Sequence, residues 1–281
     1  MEVEEKDIRN FQQTIRDHSD YDFTGYSLTC LRRRLTRILP EYGMNMAQMI
    51  RAISDSSPFL TEIVRKLTVH TTELFRDPKV WKKLKEELLP RYMDKTGIHI
   101  WHPGCSTGQE VYSMMILLDE LEMLEKTQIY ATDINPDVLE IALDGKYKYH
   151  FNQVYLENFQ KVLFRGSDPS DGNLKRQWKK YFTIDEARDL IQMKEYLRDK
   201  PVYKKMDLVK DPNPFLVKFD LIVCRNVIIY FDDELQNRVF RLFYENLKPD
   251  GTLILGVHES ILGTYSRRFL RKDTFYQKKP A

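Results

Sequence analysis

From residue 98 onward, short apolar runs alternate with helical periods, and that alternation leaves the chain very few architectures. Residues 98–103 (Ile-His-Ile-Trp-His-Pro) read as a strand and 109–124 as a helix. A strand at 128–132 and a helix at 136–143 follow. Further on, 219–224 is a strong strand candidate. The segment 232–247 reads as a helix with Leu235, Val239, Leu242, Phe243 and Leu247 on one face. Asp250-Gly251 marks a turn before a last strand at 252–256. Strands separated by helices pair in parallel through right-handed crossovers, so the expected fold class is α/β.

The first seventy or so residues follow a different rule. Ile8, Phe11 and Ile15 repeat at helical spacing. So do Leu28, Leu31, Leu35, Ile38 and Leu39, and then Phe59, Leu60, Ile63, Val64 and Leu67. Such stripes suit a small helical bundle. Pro40 and Gly43 are expected to end the second helix and Pro58 to open the third. The division expected is a helical domain over 1–77 and an α/β domain over 78–281. A small inserted subdomain is expected at about 150–205, where the polar run 165–173 breaks the alternation.

Composition narrows the function by exclusion. A formal net charge of +2 supplies no global field for a polyanion, so nucleic acid is not expected as a partner. The three cysteines, Cys30, Cys105 and Cys224, form no CxxC and no cluster at metal-ligand spacing. A reducing compartment and no metal site are therefore expected. The acidic start (Met1-Glu2-Val3-Glu4-Glu5) is no signal peptide, and no apolar run spans a bilayer. A cytoplasmic protein that does not insert into membranes, working as a monomer, is the expectation.

Two features point to a nucleoside cofactor. Gly104-Cys105-Ser106-Thr107-Gly108 follows the first strand of the α/β part and precedes a helix. A glycine turn there lets a ligand approach the backbone. Asp133 ends the next predicted strand, where a carboxylate can accept hydrogen bonds from both ribose hydroxyls. Asn135 can cap the following helix by itself, which leaves Asp133 available. These features suit a dinucleotide oxidoreductase as well as a methyltransferase.

Five ordered segments decide between them by resemblance. They are residues 67–77 (LTVHTTELFRD), 104–113 (GCSTGQEVYS), 131–135 (ATDIN), 219–231 (FDLIVCRNVIIYF) and 247–256 (LKPDGTLILG). Together they resemble the chemotaxis receptor methyltransferase family, CheR. The resemblance implies a Rossmann-like methyltransferase domain using S-adenosylmethionine, with an N-terminal helical bundle and a small inserted subdomain. It implies that His70, Thr72 and Arg76 reach the cofactor, with Gly104 at the turn. Glu110 and Asp133 would bind its polar groups, and Asp207 and Leu208 would flank the adenine. Arg225, Asn226 and Tyr230 would line the transfer site, Arg225 and Asn226 also binding the cofactor, with Arg76 and Tyr230 as the catalytic pair. The chain has His70, Gln109 and Asp207 where the family often has Asn, Glu and Asn. His258-Glu259-Ser260 only approximates the family's Gly-His-Ser-Glu-Ser stretch and carries no assigned chemistry.

The implied reaction is esterification of glutamate side chains on the cytoplasmic helices of chemotaxis receptors. A glutamate pKa of about 4.3 leaves the nucleophile ionised at neutral pH, so no general base is needed. Arg76 or Arg225 could orient a carboxylate through its guanidinium fork. In the second helix Arg33, Arg34 and Arg37 are expected on the exposed face, as a docking surface for the acidic receptor stalk. The competing readings are a nucleic-acid methyltransferase and a non-catalytic cofactor-binding regulator of the same fold. Cys-Arg-Asn-Val at 224–227, in place of an Asn/Asp-Pro-Pro-aromatic loop, argues against the former.

Overall fold

The computed structural model describes residues 3–68, 72–163 and 178–280. Four helices open the chain: α1 (Glu5–His18), α2 (Leu28–Tyr42), α3 (Met46–Asp55) and α4 (Ser57–Leu67). Their apolar stripes close on one another. Ile8, Phe11 and Ile15 of α1 meet Leu31, Leu35, Ile38 and Leu39 of α2 in a cluster separate from those on the sheet. Helix α3 was not among the expected elements. Asn45 starts it by accepting the N–H of Gln48, whose side chain accepts the Asn45 N–H in return, and Met46, Met49 and Ile53 face inward. Helix α2 runs through Pro40 to Tyr42, and Gly43 alone ends it.

After α5 (Pro78–Lys83) the predicted alternation is realised: β1 (Ile98–Pro103), α6 (Gln109–Glu120), β2 (Thr127–Asp133) and α7 (Pro136–Asp144). Next come β3 (Lys146–Lys148), α8 (Gln153–Leu163), β4 (Phe182–Asp185), β5 (Leu190–Met193) and β6 (Val202–Lys205). The chain finishes with β7 (Phe219–Cys224), α9 (Asp233–Asn246), β8 (Leu247–Leu255), β9 (Phe269–Lys272) and β10 (Phe275–Lys278). Seven strands form one sheet in the order β6-β2-β1-β7-β8-β10-β9. The first five are parallel, and β10 runs antiparallel to its neighbours β8 and β9.

Both faces of this sheet are covered, which is why its strands read as continuous apolar runs. On β7, Leu221 and Val223 join Ile100, Ile129 and Ile254 on one face, with Val111 and Met115 of α6. Ile222 and Cys224 join Trp101 and Leu253 on the other, with Val239, Phe240 and Phe243 of α9. Each such side chain contributes about 1.5–3 kcal/mol when fully buried.

A second, antiparallel sheet has the order β3-β5-β4. It corresponds to the expected insertion, with shifted limits. Strand β3, at 146–148, precedes that stretch, whereas β6, inside it, pairs with β2 in the large sheet. The polar run 165–173 lies outside the described residues. Among the described residues no helix is long and apolar enough to cross a membrane.

Candidate active site

The order of the large sheet reverses between β1 and β7: β2 and β6 lie to one side, β8 to the other. In doubly wound sheets, ligands bind at such a switch point, beyond the carboxyl ends of the strands. An open cleft of about 1100 Å³, counting its mouth, lies here and is roofed by the helices of the N-terminal part.

The glycine turn forms the floor. Gly104, Ser106 and Gly108 all have positive φ (72°, 51° and 88°), so the chain coils tightly before α6. At Gly108 a Cβ would lie 2.8 Å from the Cβ of Ala142 on α7, so glycine is required by space as well as by conformation. Asp133, at the end of β2, ties this turn to its own loop. Its Oδ2 accepts the Ser106 N–H at 2.8 Å and its Oδ1 the Asn135 N–H at 3.0 Å. Asn135 also caps α7 through the Asp137 N–H.

The segment before α5 hangs over the cleft because α5, α6, α8 and Arg225 pin it. Phe75 is fully buried, and its N–H donates to Ser113 Oγ of α6 at 2.8 Å. The Leu74 carbonyl accepts from Asn158 of α8. The Arg76 carbonyl accepts from Trp81 Nε1 and from Arg225. Thr72, Glu73 and Arg76 are thereby presented to the cleft.

Arg225, just past β7, lines the cleft and is paired with carboxylates of the protein. Its guanidinium reaches Asp77 Oδ2 at 2.7 Å and Glu110 Oε2 at 3.2 Å, and lies over the Trp81 ring. Its side chain is only 2% exposed. The fork thus holds two carboxylates of the protein. Glu110 Oε1 also lies 3.3 Å from Nδ1 of the buried His102.

Asp207, past the end of β6, is buried and donates its N–H to Asp211. Its Oδ1 accepts the Val209 N–H at 2.8 Å, while Oδ2 is buried without a hydrogen-bond partner among the described residues, and the residue lines the cleft. Burial pushes its carboxyl up to about 6, against the pull of the Val209 N–H. Leu208 lines the cleft as well.

Asn226 and Tyr230 close the cleft from the loop after β7. This loop is stitched to the helices: the Ser27 N–H donates to the Tyr230 carbonyl and the Asp232 N–H to the Gly25 carbonyl, both at 2.9 Å. Burial raises the Tyr230 hydroxyl above its ordinary range, so it stays protonated.

One cleft therefore gathers Thr72, Arg76, Gly104, Glu110, Asp133, Asp207, Leu208, Arg225, Asn226 and Tyr230. His70 lies outside the described residues. Arg33 and Arg37 are exposed on α2, as expected. Arg34 is not. It is half-buried and lines the cleft, with its guanidinium 5.6 Å from the centre of the Tyr230 ring. Sequence reasoning also missed Ser106 and His102. Ser106 sat inside the quoted glycine turn, and His102, which touches Glu110 behind the cleft, is the penultimate residue of β1, so both could have been weighed by position.

A parallel sheet with a glycine turn and a carboxylate at its switch point defines a Rossmann-like protein built to hold a nucleoside cofactor. The family model described as CheR methyltransferase, SAM binding domain, matches residues 70–171 and 152–274. Cher3 of Pseudomonas putida is 35% identical over 266 residues, covering 94% of this chain and 92% of that protein. The chemotaxis protein methyltransferase of Borreliella burgdorferi is 30% identical over 258 residues, covering 87% of this chain and 84% of that protein. That of Listeria innocua is 27% identical over 261 residues, covering 92% and 91%. The chain belongs to the CheR methyltransferase family, and its cofactor is S-adenosylmethionine.

The cleft fits that cofactor. The orphaned Oδ2 of Asp207 is an acceptor awaiting a donor, as an adenine amino group would provide. Such a bond favours the ionised carboxylate, and the free protein's carboxyl titrates near 6. Affinity for S-adenosylmethionine is therefore expected to weaken as the pH falls from 7.5 through about 6, and Asp207→Asn should flatten that profile. The same group works the other way on the cofactor-free fold. Its raised pKa gives a stabilising contribution that is complete below the unfolded value of about 3.9 and lost as the pH rises through about 6. Calorimetric titration across this range checks the first effect and thermal melts check the second.

Proposed function

We propose that this chain methylates glutamate side-chain carboxylates of bacterial chemotaxis receptors, forming methyl esters for sensory adaptation. The observation that carries the reading is the convergence of Arg76, Asn226 and Tyr230 on one cleft in a CheR-family chain. Relatives named chemotaxis protein methyltransferase support the substrate class.

In this reading residues 78–281 hold the cofactor and residues 1–77 dock the receptor. Asp133 binds the ribose hydroxyls, and Asp207 and Leu208 receive the adenine. Glu110, held by Arg225, takes the ammonium of the methionine portion, and His70, Thr72 and Arg76 complete the enclosure. The bound cofactor supplies a methyl group already activated on a sulfonium. The glutamate nucleophile is ionised at neutral pH, so no side chain of the cleft has to accept a proton. Arg76 orients the carboxylate, and the protonated Tyr230 hydroxyl donates a hydrogen bond to the oxygen that does not attack. Alignment of this kind can supply several kcal/mol, up to roughly 7–11 in well-oriented systems. The enzyme works in the cytoplasm as a monomer, without nucleic acid and without entering the membrane. Alkaline release of methanol from labelled product tests the chemistry.

Arg33 and Arg37 remain the docking pair. Exposed rim charges act mainly on association rate and are screened by salt. The double change Arg33→Gln with Arg37→Gln should slow methylation of a receptor fragment at low salt and flatten its salt dependence. Affinity for S-adenosylmethionine should not change. Normal rates at low salt would rule this helix face out as the docking surface.

A further inference from the structure

The loop carrying Asn226 and Tyr230 rests on a carboxylate to which the reaction assigns no part. Glu259 follows β8 by four residues and is 5% exposed. Its Oε2 accepts the N–H of Asn226 at 2.8 Å and of Gly256 at 2.7 Å. Its Oε1 accepts the N–H of Ile229 at 3.2 Å. Every one of these partners is a donor. An ionised carboxylate satisfies them, whereas an acid or an amide would turn a hydrogen of its own toward an N–H. Burial pushes the carboxyl upward, and the N–H groups of Asn226, Gly256, Ile229 and Ile228 pull it back.

Two further observations point to the same arrangement. Asn226 has a φ of 62°, in the left-handed region that asparagine among the non-glycine residues adopts most readily, which turns its N–H toward Glu259. At Gly256 a Cβ would lie 2.7 Å from Glu259 Oε2 and 3.1 Å from the Asn226 nitrogen, so only glycine lets the carboxylate come this close. The other end of the loop is already fixed, by Ser27 and Gly25.

We propose that Glu259 is a positioning residue for methyl transfer: a buried anion that clamps the ends of β7 and β8 together and so sets Asn226 and Tyr230 in the cleft. The proposal rests on the transfer reading given above. In that reading Asn226 and Tyr230 line the transfer site, so turnover should fall further than cofactor affinity.

The test is E259Q in the full chain, assayed with labelled S-adenosylmethionine and a purified receptor cytoplasmic fragment. The expected result is a kcat lower by about 10- to 100-fold with cofactor Kd within about two-fold of the parent. The backbone amides of Asn226, Ile229 and Gly256 should lose hydrogen-exchange protection while those of β7 and β8 keep theirs. A parental kcat, an unchanged exchange pattern, or a Kd that worsens in step with kcat would overturn the proposal. Should E259Q not fold, E259D carries the test, because it keeps the charge but withdraws it by one methylene. The same split is expected. The exchange measurement needs no turnover, so it judges the clamp even if the product is not a carboxyl methyl ester, a result that would sink the functional reading alone.

Discussion

Asp133→Ala should weaken S-adenosylmethionine binding by roughly 1.5–3 kcal/mol, or about 10- to 150-fold, because a charged hydrogen-bond acceptor is lost from a buried site. The carboxylate is 8% exposed and already holds the Ser106 and Asn135 N–H groups. Its removal therefore also frees the glycine turn, and some loss of stability should accompany the loss of affinity. Asp133→Asn separates the two contributions. Its carbonyl can keep one N–H partner, but its NH2 group faces the other. The asparagine variant should fold more stably than the alanine variant and still bind poorly. Calorimetric titration that finds parental affinity in folded Asp133→Ala would remove Asp133 from the cofactor site.

The largest effect on stability is expected at Arg225. Its guanidinium is buried between Glu110, whose side chain is 14% exposed, and Asp77, at 32%. Truncation to alanine leaves both carboxylates facing a site built for a cation. Breaking a buried pair in this way costs about 3–5 kcal/mol. In a protein of this size that corresponds to a fall of roughly 6–20 °C in melting temperature. Arg225→Lys keeps the charge but cannot present a fork to two acids, so it should recover only part of the loss. Glu110→Gln in the Arg225→Ala background should relieve some of the damage by removing an unpaired charge. A melting temperature within 2 °C of the parent for Arg225→Ala would show that the cluster contributes little, since about 1 kcal/mol already shifts a chain of this length by 2–4 °C.

Much of the fold was legible because burial on both faces of the sheet writes itself as uninterrupted apolar runs. The run 219–224 is buried at every position in the structure. What escaped was local or long-range. Helix α3 shows only three inward residues, so its stripe is short, although its capping pair Asn45 and Gln48 stands in the sequence. Arg34 was misplaced for a geometric reason. At 100° per residue it lies only about 40° from Ile38, on the flank of the buried stripe, whereas Arg33 and Arg37 fall on the far side. The loop carrying Tyr230 covers that flank, and nothing local in α2 announces a partner some two hundred residues away.

The cleft was legible for a different reason. Gly104, Asp133 and Asp207 stand beyond the ends of successive parallel strands, so strand-end chemistry converges there once the sheet forms. The committed state of Arg225 was not legible, because its partners Asp77 and Glu110 are more than a hundred residues distant in the chain. The same holds for the shifted limits of the small sheet. Strand β3 is three residues long, too short to show an alternation.

The central claim is that the cleft delivers a methyl group to a glutamate carboxylate. Incubation with methyl-labelled S-adenosylmethionine and a receptor cytoplasmic fragment, followed by mild alkali, tests it most directly. A methyl ester releases its label as volatile methanol, and the account predicts that the protein-bound label is released in this way. Label that stays on the protein through alkali would mark methylation on nitrogen and contradict it.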